Sequence, residues 1–249
     1  MPMTPEEFAN LYLPTRVEDE EWYALEIRVS KYRNAKYGLD TALKDQLVGY
    51  LKHRSGKPGS GIVAGDKGGY SIPENGIESF PLARLMHAFC GKCLPQEAAQ
   101  VVSIFSHWKN HDKAAKSCKY QTLQGFADGC LGTDCNGLTY AFLKSEYPKV
   151  GYTTDTAIGT YRSQGTKRKS LAELASCDCL IFPSDAHIAM ISEVTSLTDE
   201  KAECRITQSR SPSLGGAQTG TGTITFRKGI FYYNGTMLTT IVKVKGMPA

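Results

Sequence analysis

The stretch Gly132-Thr133-Asp134-Cys135-Asn136-Gly137-Leu138 decides how this chain is read. Asp134 is a favoured helix N-cap, because its carboxylate accepts backbone N–H groups that a helix start leaves unpaired. Leu138, Tyr140, Ala141 and Phe142 follow and Pro148 lies just beyond, so the pattern predicts a helix over 134–145. Cys135 then falls in the first turn, where unpaired N–H groups and the helix dipole favour a thiolate and lower its pKa. The same N–H groups suit the oxyanion of a tetrahedral intermediate. Gly137 allows close approach of a substrate backbone. A thiol nucleophile needs a base, and His187 opens the β-rich run His187-Ile188-Ala189-Met190-Ile191.

Downstream of this stretch, short β-rich runs are predicted at 179–182, 187–194, 205–209, 222–226, 230–233 and 237–244. Tyr233-Asn234-Gly235 is a hairpin turn signal. Gly215 to Gly220 has neither a P-loop lysine nor a following helix and reads as a glycine-rich loop. Upstream, the pattern is helical from Thr4 to about Leu51. Thr4-Pro5-Glu6-Glu7 looks like a helix start, and Leu25, Val29, Tyr32 and then Leu39, Leu43, Leu47 recur at helical spacing. Helices are also expected near 80–89 and over 95–111. The loop from Ser55 through Gly69 is the strongest candidate boundary. Helices, one strong helix, then an antiparallel meander define an α+β class. Residues 1–73 form a helical N-terminal extension of unassigned role in this reading, and 74–249 the catalytic domain.

Lys plus Arg number 29 against 25 Asp plus Glu, and the net charge of +4 is too mild to argue for nucleic acid. The distribution is uneven: Glu18-Asp19-Glu20-Glu21 is acidic, whereas nothing after Glu203 is. The last part carries Arg205, Arg210, Arg227, Lys228, Lys243 and Lys245, compatible with an anionic polymer or with an ordinary solvated face. No apolar run approaches the roughly 18 residues of a membrane span. The first residues lack the basic start and apolar core of a cleaved leader, so export by a signal-independent route is the expectation for an extracellular target. The eight cysteines are expected to be mostly free thiols.

The stretch 120–209 resembles the NlpC-type cell-wall peptidases and the related CHAP amidases, which are papain-like cysteine enzymes. Four local patterns agree in order: Tyr120 ahead of Asp134-Cys135-Asn136-Gly137-Leu138, Asp178-Cys179-Leu180-Ile181-Phe182, His187-Ile188-Ala189-Met190, and Ile206-Thr207-Gln208-Ser209. The resemblance implies a papain-like (NlpC-type) fold with the nucleophile helix packed on an antiparallel sheet. It implies Cys135 as nucleophile, His187 as base, Gln208 as the residue orienting the imidazole through Nδ1, and Tyr120 beside the oxyanion, near Asn136 and Gly137. It implies a peptidase or amidase acting on the peptide stems of peptidoglycan, with no cofactor and with an immunity or adaptor protein as a conceivable partner. Asn136 stands where the family has Ser, Ala189 where it has Gly, and Ser176-Cys177 where it has Pro-Gly. None of these removes a group the chemistry needs. Thr207 or Ser209 would face the site instead of Gln208 if the strand register slipped by one.

Two other readings compete. The same fold hosts acyltransferases, deamidases and proteases acting on a host protein. A non-enzymatic interaction module is the other, because Cys90, Cys93, His107 and His111 have near zinc-finger spacing, C-x2-C-x13-H-x3-H. The aromatic and leucine expected between those pairs are missing. Buried thiols and surface histidines are the plain alternative there, as a buried structural role is for Cys135, His187 and Gln208.

Overall fold

The computed structural model describes residues 2–12, 15–18, 24–29, 31–33, 39–65, 68–210 and 215–247, with 15–18 and 24–26 by backbone alone. Asp19, Glu20 and Glu21 of the acidic run lie outside the described residues. The chain divides into two compact units, Leu11–Thr133 and Met1–Asn10 with Asp134–Ala249. Helix α1 (Pro5–Asn10) belongs to the second of these.

The Leu11–Thr133 unit opens with an antiparallel hairpin, β1 (Thr15–Glu18) and β2 (Ala24–Ile27). The helical spacing of Leu25, Val29 and Tyr32 is therefore coincidental, and the N-terminal region is not wholly helical. Helix α2 (Thr41–Arg54) starts where Asp40 Oδ1 accepts the Leu43 N–H at 3.1 Å. Strands β3 (Val63–Ala64), β4 (Gly69–Ile72) and β5 (Ile77–Pro81) make a small antiparallel sheet. Helices α3 (Leu82–Phe89), α4 (Pro95–His111) and α5 (Leu123–Cys130) follow. Helix α4 is the centre of this core: Val101, Val102, Ile104, Phe105 and Trp108 are buried, and Phe105 stacks on Phe126 at 4.0 Å. Leu47 and Leu51 of α2 are buried in the same unit, and Tyr50 Oη lies 2.8 Å from His107 Nδ1 of α4. This core joins residues from both sides of 73, so the observed divisions fall at 10–11 and 133–134 and not in the loop from Ser55 through Gly69.

The second unit continues with α6 (Cys135–Glu146), α7 (Ile158–Gln164) and an eight-stranded antiparallel sheet. Its strands are β6 (Thr166–Lys167), β7 (Cys179–Ile181), β8 (Ile188–Leu197), β9 (Lys201–Arg210), β10 (Gly216–Arg227), β11 (Ile230–Tyr233), β12 (Thr236–Met237) and β13 (Thr240–Lys243). The spatial order is β12-β11-β10-β9-β8-β7-β13-β6, so a meander runs from β7 to β12 and β13 then returns to the far side of β7. Asn234 (φ 47) and Gly235 (φ 81) form the tight turn between β11 and β12 that their identities favour. The α+β class holds, with helices beside antiparallel sheets. The glycine-rich run beginning at Gly216 is strand and not loop: Gln218 pairs with Gln208 and Thr219 with Thr207.

One face of the sheet carries Leu180, Ala189, Ile191, Ala202, Cys204, Ile206, Ile224 and Ile241 as an apolar cluster. Helices α1 and α6 lie against the other, where Glu6 pairs with Arg205 and Phe8 meets Phe142 edge-on at 5.8 Å. At one end of the apolar face, Phe182 touches His187 at 5.0 Å and Tyr233 at 6.1 Å between ring centroids. A Cβ at Gly222 would lie 2.2 Å from the Tyr233 ring. Gly222→Ala is accordingly expected to displace Tyr233 and to cost about 1–3 kcal/mol in a denaturant melt.

Candidate active site

Cys135 is the first residue of α6, and Asp134 is its N-cap. The Asp134 carboxylate accepts the Gly137 N–H and its carbonyl accepts the Leu138 N–H at 2.9 Å, which fixes the helix start as the sequence predicts. Cys135 is 7% exposed. The backbone N–H groups of Ile188, Asn136 and Cys135 each act on the sulfur to favour its charged form. Ile188 is the residue after His187, whose Cα lies about 2.5 Å from that nitrogen by covalent geometry. The sulfur thus lies near the entry to β8. Among the described residues no hydrogen bond joins Cys135 to His187.

His187 Nε2 lies 2.9 Å from Gln208 Oε1. An amide oxygen only accepts, so Nε2 carries the hydrogen and Nδ1 is left with its lone pair. Gln208 therefore orients the ring at Nε2, not at Nδ1 as expected from sequence. Met190 pairs with Thr207 and Ile191 with Ile206, which puts Gln208 on the His187 side of β9. Thr207 faces away, its hydroxyl 2.6 Å from those of both Ser192 and Thr219. Extending the same register sets Arg210 opposite His187, where its positive charge disfavours protonation of the ring.

Burial pushes the Cys135 thiol up to about 11, the Asp134 charge adds to the rise, and the N–H groups of Ile188 and Asn136 oppose it. Burial also lowers His187, as does Arg210, against the Gln208 hydrogen bond. Both directions favour the neutral form, of the thiol and of the imidazole. The thiolate expected at this helix start is not the resting form, because desolvation outweighs the N–H groups. Alkylation of Cys135 by iodoacetamide, followed by peptide mapping, is expected to stay slow at neutral pH and climb toward pH 11. An ordinary cysteine would rise near about 8.5.

The other expected residues are placed as follows. The Gly137 N–H is engaged by Asp134, so it does not serve an oxyanion in this arrangement. Asn136 Nδ2 donates to the Thr156 carbonyl at 2.7 Å. Tyr120 belongs to the Leu11–Thr133 unit. There its partners are Cys130 and Lys119, whose ammonium lies 5.0 Å from the ring centroid, and burial pushes its hydroxyl up to about 12. Asp178 is 1% exposed and held by both terminal oxygens to Arg168. Sequence reasoning missed Ile188, whose backbone donor has no sequence signature, and Phe182, which packs the imidazole.

The zinc spacing does not close. Cys93 is buried and its thiol is driven up by desolvation. Cys90 Sγ lies 3.7 Å from Met86 Sδ, and the His107 and His111 rings meet tilted, with centroids 4.4 Å apart. Among the described residues no three His, Cys, Asp or Glu side chains gather as a metal site. All eight cysteines are free thiols. No helix among the described residues is long and apolar enough to cross a membrane. Compared with known proteins, the chain matches no family model, no curated protein and no solved structure.

Proposed function

We propose that this chain is a cysteine hydrolase of amide bonds built on a papain-like, NlpC-type arrangement. The observation that supports it is that the backbone N–H acting on the Cys135 sulfur belongs to Ile188, the residue after a histidine whose Nε2 is fixed by Gln208. In the proposed reaction Sγ attacks the carbonyl carbon of the substrate as its proton passes to His187 Nδ1. The tetrahedral intermediate collapses, the C–N bond breaks and Nδ1 returns the proton to the leaving amine. Water then gives a proton to Nδ1 and attacks the thioester, which releases the acid and restores the thiol. Because the resting pair is neutral, proton transfer accompanies attack and does not precede it.

Peptide stems of peptidoglycan are the proposed substrate, on the strength of the motif resemblance and the cationic C-terminal part. The test is to mix the protein with muropeptides, quench in acid and measure intact mass. A covalent acyl adduct mapped to Cys135, with new amine termini in the products, is expected. An adduct passed to an added amine in preference to water would assign an acyltransferase instead. The absence of both adduct and cleavage would defeat the proposal.

A further inference from the structure

We propose that α7 and the loop leading into it are a brace that sets the separation of Cys135 and His187, with Arg162 and Asp185 as positioning residues. The inference rests on the hydrolase reading for its catalytic consequence, but its geometry stands on two independent anchor points. At one end, Asn136, next to Cys135, donates from Nδ2 to the Thr156 carbonyl at 2.7 Å. At the other, Arg162 Nη2 on α7 holds Asp185 Oδ2 at 2.9 Å, and Asp185 lies two residues before His187. A single segment of chain therefore ties the start of the nucleophile helix to the turn that delivers the base.

Both ends of the brace are stiff. The Thr153 N–H donates to Thr156 Oγ1 at 2.9 Å and the Thr156 N–H to the Thr153 carbonyl at 3.0 Å, closing the loop on itself. Tyr161 is fully buried and meets Tyr152 edge-on at 4.7 Å, which locks α7 in place. Gly159 admits the Asp185 carboxylate: a Cβ there would stand 2.9 Å from Oδ2.

The turn itself is held against its own preference. Ser184 (φ 59, ψ 21) and Asp185 (φ 52) are consecutive non-glycine residues in the left-handed region. Such residues persist where surrounding contacts over-determine them. An ion pair this open adds little to global stability. Holding two strained residues immediately ahead of His187, it acts on where the imidazole sits. The chain after the turn is secured by the Phe182 N–H donating to the His187 carbonyl at 3.0 Å, so a change at Asp185 passes directly to the base.

The test uses the full chain in four forms: wild type, Arg162→Gln, Asp185→Asn, and the charge-exchanged Arg162→Asp with Asp185→Arg. Imidazole ¹H–¹⁵N spectra read whether His187 Nε2–H still donates to Gln208. Alkylation of Cys135 at neutral pH, compared with His187→Ala, reads whether the imidazole still assists the thiol. The single variants are expected to keep the wild-type melting temperature and to shift and broaden the His187 Nε2 signal. They should also lose His187-assisted alkylation by about tenfold to a hundredfold. The charge-exchanged pair should recover both. Single variants with an unchanged His187 signal overturn the brace, and so does failure of recovery in a folded exchanged pair. If His187→Ala alkylates at the wild-type rate, the hydrolase reading falls while the imidazole spectra still decide the brace.

Discussion

Cys135→Ala and His187→Ala are each expected to lower amide cleavage by about 10⁴-fold or more, and the double variant is expected to fall no further than the worse single. The sulfur is the only proposed nucleophile, and a methyl group in its place leaves the carbonyl to be attacked by water alone. The imidazole matters for a different reason. Burial pushes the thiol up to about 11, so at neutral pH almost no thiolate exists unless a base takes the proton during attack. The two groups thus act as one unit, which is why their losses do not add. The pH dependence follows from the directions of the shifts. His187 is active when neutral and burial lowers it, so the acid limb of kcat/KM is expected below the ordinary imidazole value of about 6.5. Activity rises as pH passes that limb, stays level through neutrality and declines only near the thiol's own value. Steady-state rates of wild type and both variants from pH 4 to 11 check this. A His187→Ala protein that keeps its rate within tenfold, or an acid limb that survives unchanged without the imidazole, would rule out His187 as the base.

The parts of the fold readable in sequence are those whose signals are local. Helix α4 begins at Pro95 and ends at His111 as its pattern predicts, and Asp134 caps α6 one residue before Cys135. The turn at Asn234-Gly235 needs left-handed backbone that few residue pairs supply so readily. What was not readable depends on partners distant in sequence. Leu25, Val29 and Tyr32 fit helical spacing, yet Ala24–Ile27 pairs with Thr15–Glu18 as a strand. Gly216 to Thr221 has poor strand propensity alone, but it is fixed by its ladder with β9. The return of β13 to β7 is set by nothing local. At the candidate site, the contact of His187 with Gln208 was legible and the electrostatics were not. Motif order pointed to Cys135, His187 and Gln208, whereas which ring nitrogen Gln208 takes depends on side-chain placement across β8 and β9. The helix start argued for a thiolate, but the desolvation that reverses it comes from packing that no local pattern records.

Arg168→Gln is expected to destabilise the protein by about 3–5 kcal/mol at neutral pH, because it strands a buried carboxylate. Asp178 is 1% exposed on its side chain and Arg168 16%, and the guanidinium reaches both carboxylate oxygens, at 2.7 and 2.8 Å. Even so paired, Asp178 is raised above its ordinary value, since burial acts more strongly than Arg168 and the Ala175 N–H, which lower it. The sign of the pH effect follows. Below the ordinary carboxylate value, both folded and unfolded chains hold the proton and the cost of burying the charge is absent. As pH rises, the unfolded chain releases its proton first, and stability falls until pH passes the folded value. Without Arg168 the folded value climbs further and the window of loss widens upward. Urea midpoints of wild type and Arg168→Gln should therefore lie close together near pH 4 and separate steadily toward pH 7. Adding Asp178→Asn to Arg168→Gln should restore most of the loss, because the neutral amide leaves no charge in the interior. A deficit in Arg168→Gln that is the same at both pH values would mean that lost packing, and not the unpaired carboxylate, sets the cost. The consequence reaches the site: Asp178 accepts the Ile191 N–H at 2.9 Å through its carbonyl, and Cys177 donates to the Ile191 carbonyl at 2.7 Å. The buried pair thus anchors the entry of β7 onto β8, the strand whose first residue, Ile188, acts on the Cys135 sulfur. Muropeptide cleavage by Arg168→Gln should accordingly fall with pH in parallel with its stability, while the doubly substituted chain keeps its rate across the same range.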